Sequence, residues 1–339
     1  MSTGLDYPPG SYADTDELVS LSKEVSRFGG IYHTHVRNGL GDRHLDPFRE
    51  AIDIGRRSGA PVHITHLSHG TASSSKTESV LRLVEESRTA GIDVTFDDFP
   101  YEFGGTRAIV VFPEWAHDGG PQKLKEILAS REGRERLRRE VQPQGQGWQD
   151  MRLTYFKNPH NKVYEGRSVA EIGETLGKNP IDALADLVLD EDLRVSYIAE
   201  VVDGPTLRQV VSHPLYMLGT DALLLGDYPS PTAYGAATFL LSQLVREEEH
   251  ILLTEAIRKM TSYPAQRLGI DNRGVLRSGM KADIIVFDPA TVDAPATREM
   301  PKQYSTGIDY VIVNGTIVID HNDHTGAFPG LALRQTDGF

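Results

Sequence analysis

Two short β-branched runs, each ending in a histidine and separated by one helical segment, constrain this chain more than any other stretch. The first is Gly30-Ile31-Tyr32-His33-Thr34-His35-Val36-Arg37, and the second is Pro61-Val62-His63-Ile64-Thr65-His66-Leu67-Ser68. Between them, residues 46–58 have the marks of a helix. Pro47 suits a first turn, Phe48, Ala51, Ile52 and Ile54 fall near a 3.6-residue period, and Gly59 ends it. Strand, helix, strand makes the two strands parallel neighbours. Alternation puts His33, His35 and Arg37 on one face of the first strand. On the second, Val62, Ile64, His66 and Ser68 share a face, and His63 points the other way. That spacing predicts His63 to be structural, under a helix. Neutral imidazole is the commonest ligand for zinc, so His35 and His66, at the C-terminal ends of adjacent strands, can meet at one metal ion. A single histidine at a strand end is more often a core or surface residue; two in register on neighbouring strands strengthen the metal alternative. An acid is still needed. Tyr216-Met217-Leu218-Gly219-Thr220-Asp221 supplies one, as an apolar strand ending in an aspartate before the loop 222–234.

The rest of the chain frames these strands. Residues 1–14 are rich in turn formers. Residues 15–28 follow as a helix, with Thr15 as N-cap and Leu18, Val19, Leu21 and Val25 as its apolar face. After the histidine strands come a Ser/Thr-rich loop at 70–76, a helix at 78–89 and a third strand at 91–98 running into Pro100-Tyr101. Helix and strand alternating in this way is the pattern of an α/β barrel. The pattern breaks over 102–210, which holds a charged helix at 122–141, a polar stretch at 142–148 and helices at 169–176 and 180–190. Barrel character returns with the strand 215–221 and helices at 238–248 and 252–261. Strands then follow at 274–276, 282–287 and 310–319, with Asn314-Gly315 as a hairpin signal.

Composition narrows the function. The 339 residues carry a net charge of −13, which argues against nucleic acid and anionic membrane as partners. The charged segment 131–139 mixes both signs and suits a solvated face. There is no cysteine, hence no disulfide framework and no thiolate ligand from these residues. No run reaches the ~20 apolar residues of a membrane span, and the first residues lack the basic and apolar regions of a signal peptide. These features lead us to expect a soluble, cytoplasmic protein.

An ordered set of motifs adds a resemblance. Gly4-Leu5-Asp6-Tyr7-Pro8-Pro9-Gly10, Tyr32 to Arg37, His63 to His66, Asp97-Asp98-Phe99-Pro100-Tyr101, Gly219-Thr220-Asp221 and Gly279 to Asp288 follow one another at matching spacing. Together they resemble the D-aminoacylase branch of the metal-dependent amidohydrolases, over about residues 4 to 320. The resemblance implies an α/β fold: a partial (βα)8 TIM-type barrel, here its last four βα units, with strands at 30–36, 61–67, 92–98 and 215–221. Residues 1–270 would form this half barrel with the insertion at about 102–210, and 271–339 a small C-terminal β domain and tail. The first four strands, a His-x-His pair and a further metal ligand would be supplied by a separate polypeptide or by residues beyond this sequence; self-association could close a barrel but would not duplicate those ligands in the right places.

The same resemblance implies chemistry. His35 and His66 would be zinc ligands, and Asp221 the general base and then acid in hydrolysis of a C–N amide bond of a small substrate. Arg37, Tyr101 and Ser68 would contact substrate, and Asp97 would brace the site. Two positions depart from the family. Ser68 stands where it has a lysine, and the 228–235 loop lacks its His-Pro-Arg. Those cations would hold a substrate carboxylate, so their absence points to a shifted substrate unless Arg37 or Arg107 compensates. The competing expectation is a binding or scaffold subunit that keeps the fold without the chemistry.

Overall fold

A computed structural model describes residues 1–38, 40, 43–70, 73–143 and 147–333, with backbone alone for 69 and 70. It opens with β1 (Ser2–Gly4) and α1 (Thr15–Arg27). Asp14, not Thr15, caps α1, accepting the Glu17 amide at 2.8 Å. Then β2 (Tyr32–His35), α2 (Asp46–Ser58), β3 (Val62–Ile64), α3 (Ser74–Thr89) and β4 (Val94–Asp98) alternate as the sequence pattern predicts. Proline in its first turn and Gly59 at φ 74 bound α2 as expected. Residues 71–72 of the expected Ser/Thr-rich loop lie outside the described residues.

The insertion follows: β5 (Phe103–Arg107), α4 (Glu114–His117), α5 (Gly120–Ala129), α6 (Arg131–Glu140), β6 (Arg152–Tyr155), α7 (Val169–Leu176), α8 (Pro180–Asp190) and β7 (Ser196–Glu200). β7 lies between β5 and β6 in an antiparallel sheet. Phe112, Leu124, Leu137, Leu153 and Leu184 belong to a core separate from that of the barrel. The expected single charged helix is two: Ser130 is extended, ends α5, and caps α6 through the Gly133 amide. Residues 144–146 of the polar stretch lie outside the described residues.

α9 (Gly204–Ser212) puts Leu207, Val210 and Val211 back into the barrel core, so the excursion ends near residue 200, earlier than the sequence suggests. β8 (Tyr216–Leu218) and α10 (Thr232–Phe239) come next, and a π-helix over Leu240–Glu247 continues α10. α11 (Leu253–Met260) and α12 (Ser262–Arg267) complete the helices. β9 (Ile284–Phe287), β10 (Ile308–Val313), β11 (Thr316–Asp320) and β12 (Asp323–His324) form an antiparallel sheet in the order β12-β11-β10-β9. Asn314 and Gly315, at φ 50 and 80, make the expected hairpin turn. Residues 274–276 are not a strand; Gly274 turns there at φ 86, packed against Ser262 and Ala265.

The partial barrel has five parallel strands, in the order β1-β2-β3-β4-β8, one more than the four counted from the sequence. Register decides what meets. His33 lies beside Ser2 and His63, and His63 beside Thr95. Tyr32, Val62, Ile64, Val94 and Phe96 face outward and are wholly buried in the barrel core. The inner face carries His33, His35, His63, Thr95 and Asp97. This corrects the expectation that His63 lies under a helix. Alternation is valid only while the strand stays extended. The chain bends at Thr65, and His66, at φ 36, swings back to the inner side. Among the described residues no helix is long and apolar enough to cross a membrane.

Candidate active site

The ends of β1, β2, β3 and β8 open on one cavity of ≈ 790 Å³. His35 is the last residue of β2, and the Leu5 amide donates to its carbonyl at 3.1 Å, which sets Asp6 beside its ring. Asp6 Oδ2 lies 2.9 Å from His35 Nε2 and takes the Asn38 Nδ2 donor at 2.6 Å. Burial pushes the Asp6 carboxyl up, but these hydrogen bonds outweigh it and hold the pKa below the ordinary value. An ionised Asp6 keeps the proton on His35 Nε2 and leaves a lone pair on Nδ1. That Nδ1 faces His66 Nε2 at 2.9 Å. Burial, then the neighbouring His35, push the His66 imidazole below its ordinary pKa.

Asp221 stands at the same mouth, half-exposed, with Oδ2 4.0 Å from His66 Nε2. Like His66 it has a left-handed backbone, with φ 38. Such conformations in non-glycine residues persist only where the surroundings enforce them. The enforcing group for His66 is Asp97, whose Oδ1 takes the Thr65 hydroxyl and the His66 amide, each at 2.9 Å. Oδ2 meets His63 Nε2 at 2.9 Å. Burial alone would raise the Asp97 pKa, but these contacts hold it far below the usual range. Asp97 also explains Gly219: a Cβ there would sit 2.8 Å from Asp97 Oδ1.

The other expected contacts divide. Arg37 lines the cavity, but its guanidinium is engaged with Glu50 at 3.2 Å and with the Ser11 and Ala13 carbonyls at 2.7 and 2.6 Å. It holds the 5–13 loop in place. Ser68 is fully buried below the cavity, its amide donating to Asp98 Oδ2 at 2.8 Å. Tyr101 is also buried, packed on Phe239 with ring centroids 4.2 Å apart, and lines a different cavity beside Arg208 and Glu248. Arg107 is exposed and does not line the site. Strand periodicity missed Asp6 and Tyr7, because both lie in the turn-rich opening. The only sequence signal for them was the motif 4–10. Tyr7 Oη bonds Thr106 Oγ1 at 2.9 Å, so β5 walls the cavity together with Tyr197. Among the described lining residues, four carboxylates, those of Asp6, Glu114, Asp118 and Asp221, outnumber the one guanidinium of Arg37.

This donor set fits a divalent cation. Two imidazole nitrogens converge, and the far nitrogen of one is anchored on a carboxylate, as is usual for metal-ligating histidines. The two histidines make two ligands, so further ligands are needed for a closed coordination sphere.

Known proteins share this arrangement of elements. The chain is 31% identical over 335 residues to an N-acyl-D-glutamate deacylase of Alcaligenes xylosoxydans xylosoxydans, an alignment covering 98% of this chain and 60% of that protein. A D-aminoacylase crystal structure superposes with a TM-score of 0.77 at 27% identity, covering 96% of this chain and 60% of that one. The structure of N-acyl-D-glutamate deacylase from Bordetella bronchiseptica, complexed with zinc and a phosphonate mimic of the tetrahedral intermediate, gives 0.76 at 27% identity, covering 94% and 59%. The chain thus spans about 60% of the length of the relatives it matches. Residues 146–319, half of its length, match the Amidohydrolase family, and with the strand-end histidines and aspartate in place the chain belongs to that family.

Proposed function

We propose that this chain carries the acid–base residue and two metal ligands of an amide-bond hydrolase for small N-acylated substrates. The observation that carries the proposal is the convergence of His35 Nδ1, His66 Nε2 and Asp221 at the mouth of one cavity. His35 and His66 would hold a divalent ion, and the zinc in the similar deacylase structure favours zinc. Such an ion supplies acidification of a water and polarisation of a carbonyl. Asp6 fixes the His35 tautomer, and Asp97 braces the bend that presents His66. Asp221 is reachable from solvent, takes a proton from the attacking water on Oδ2 and returns it to the leaving nitrogen. We assign residues 1–270 to the half barrel and 271–339 to the small β domain and tail. A second polypeptide bearing the remaining barrel strands would pair with the edges β1 and β8 and supply further ligands.

The cavity also bears on substrate. Its carboxylate excess and the engagement of Arg37 disfavour a free substrate carboxylate, since an unpaired charge in a partly buried site costs several kcal/mol. Amide or ester derivatives are then turned over at least as well as free acids. The test has two arms. The chain alone shows no zinc-dependent amidase turnover, and robust turnover would exclude the need for a partner. With the first half of the barrel added, kcat/KM is compared for an N-acetyl-D-amino acid and its carboxamide. A preference for the acid of more than about a hundredfold, roughly 2.7 kcal/mol, would overturn the substrate assignment.

A further inference from the structure

Inside the sheet, on the β2, β3 and β4 side chains that precede the strand-end site, lies a second convergence of ligand-type atoms. His33, His63 and Asp97 each present one donor atom, and the three lie within 4.8 Å of one another. His63 Nε2 is 2.9 Å and His33 Nε2 3.5 Å from the same oxygen, Asp97 Oδ2. Ligands at about 2.0–2.2 Å from a tetrahedral ion stand about 3.3–3.6 Å apart, so shifts of at most about 1.5 Å close this triangle on one.

Three further observations favour an ion there. Among the described residues, buried His33 Nε2 meets no polar atom closer than Asp97 Oδ2 at 3.5 Å, a long contact, and its ring packs edge-on against that of His63 with centroids 5.0 Å apart. His63 Nδ1 is 2.7 Å from Thr95 Oγ1, an outer contact that can carry the ring proton and leave Nε2 as a lone pair. Asp97 uses Oδ1 for Thr65 and the His66 amide, so Oδ2 is the oxygen that faces both imidazoles and would bind an ion in monodentate fashion, replacing its contact with His63 Nε2. The register fixes the arrangement, because His33 and His63 are direct neighbours across β2 and β3.

We infer that His33 Nε2, His63 Nε2 and Asp97 Oδ2 form a binding site for a divalent first-row transition-metal ion, separate from the His35–His66 pair. Two imidazoles and one carboxylate suit Zn²⁺, Co²⁺ or Fe²⁺ and leave a coordination position for water. The inference does not rest on amide hydrolysis, because it needs no reacting group.

The experiment uses the full chain, freed of metal by chelation, with Zn²⁺ and Co²⁺ as probes. In a His35→Ala/His66→Ala background the chain is expected to retain one equivalent of Zn²⁺ after gel filtration and to give the visible absorption of low-coordinate Co²⁺. Adding His33→Gln, which nearly preserves ring volume, is expected to weaken binding at least tenfold. In the unmutated chain, Zn²⁺ is expected to protect half-exposed His33 from diethyl pyrocarbonate, read by peptide mass. That arm needs no variant to fold. Equal modification of His33 with and without saturating Zn²⁺ would overturn the inference, as would Zn²⁺ affinity unchanged by His33→Gln in the double-variant background.

Discussion

At the scale of single residues, the candidate site was legible where an ionisable side chain ends an apolar run. His35, His66 and Asp221 each sit at such an end, and the structure brings them to one cavity. The face of His63 was not legible, because the bend that reverses His66 depends on Asp97, a contact across strands that no local pattern records. Asp98, next along β4, makes a testable consequence. Burial, with the Asp97 charge adding to it, raises its carboxyl to about 7, against the Ser68 and Phe99 amides that donate to it. An unfolded aspartate titrates at about 3.9. Between about pH 4 and 7 the folded chain therefore holds a proton that the unfolded chain releases, and stability falls as pH rises through that window. Asp98→Asn removes this term. Urea midpoints measured at about pH 4.5 and pH 7.5 should fall less for the variant than for the unmutated chain; equal falls would refute the assignment.

Among elements, α2 shows how tightly the histidine strands are held. A Cβ on Gly55 would run into Val62 Cγ2 on β3. Alanine is the better helix former, yet Gly55→Ala is expected to destabilise the chain by about 1–3 kcal/mol through overpacking. Val62→Ala in the same chain should recover part of that loss, and a Gly55→Ala chain with unchanged urea midpoint would show that the helix simply shifts. Helix α2 was legible because proline, period and glycine all agree. α7 and α8 were legible too; Ser168 forms a capping box with Glu171, and Asn179 caps α8 ahead of Pro180. The break at Ser130 was not, since charged residues continue on both sides of it. β1 was hidden for a simpler reason: three residues ending in glycine carry no period, and only pairing with β2 makes them a strand.

For the whole molecule, the open sheet dominates. Among the described residues β1 and β8 each present an unpaired edge, and Ile285, Val286 and Ile317 leave apolar area on the small β domain. Exposed edges and patches favour association. The chain alone is expected to sediment as species that grow with concentration, and to give one defined complex once the remaining strands are added. A monomer at every concentration would mean that the edges are satisfied in some other way. The two separate cores have a different consequence. The wall of the cavity, β5 and β7, is anchored in one, and the strands that present His35, His66 and Asp221 in the other. The cavity wall and the strand-end side chains can therefore diverge on separate schedules. Exchanging residues 103–200 for another wall should redirect what enters the cavity while the strand-end side chains stay where they are.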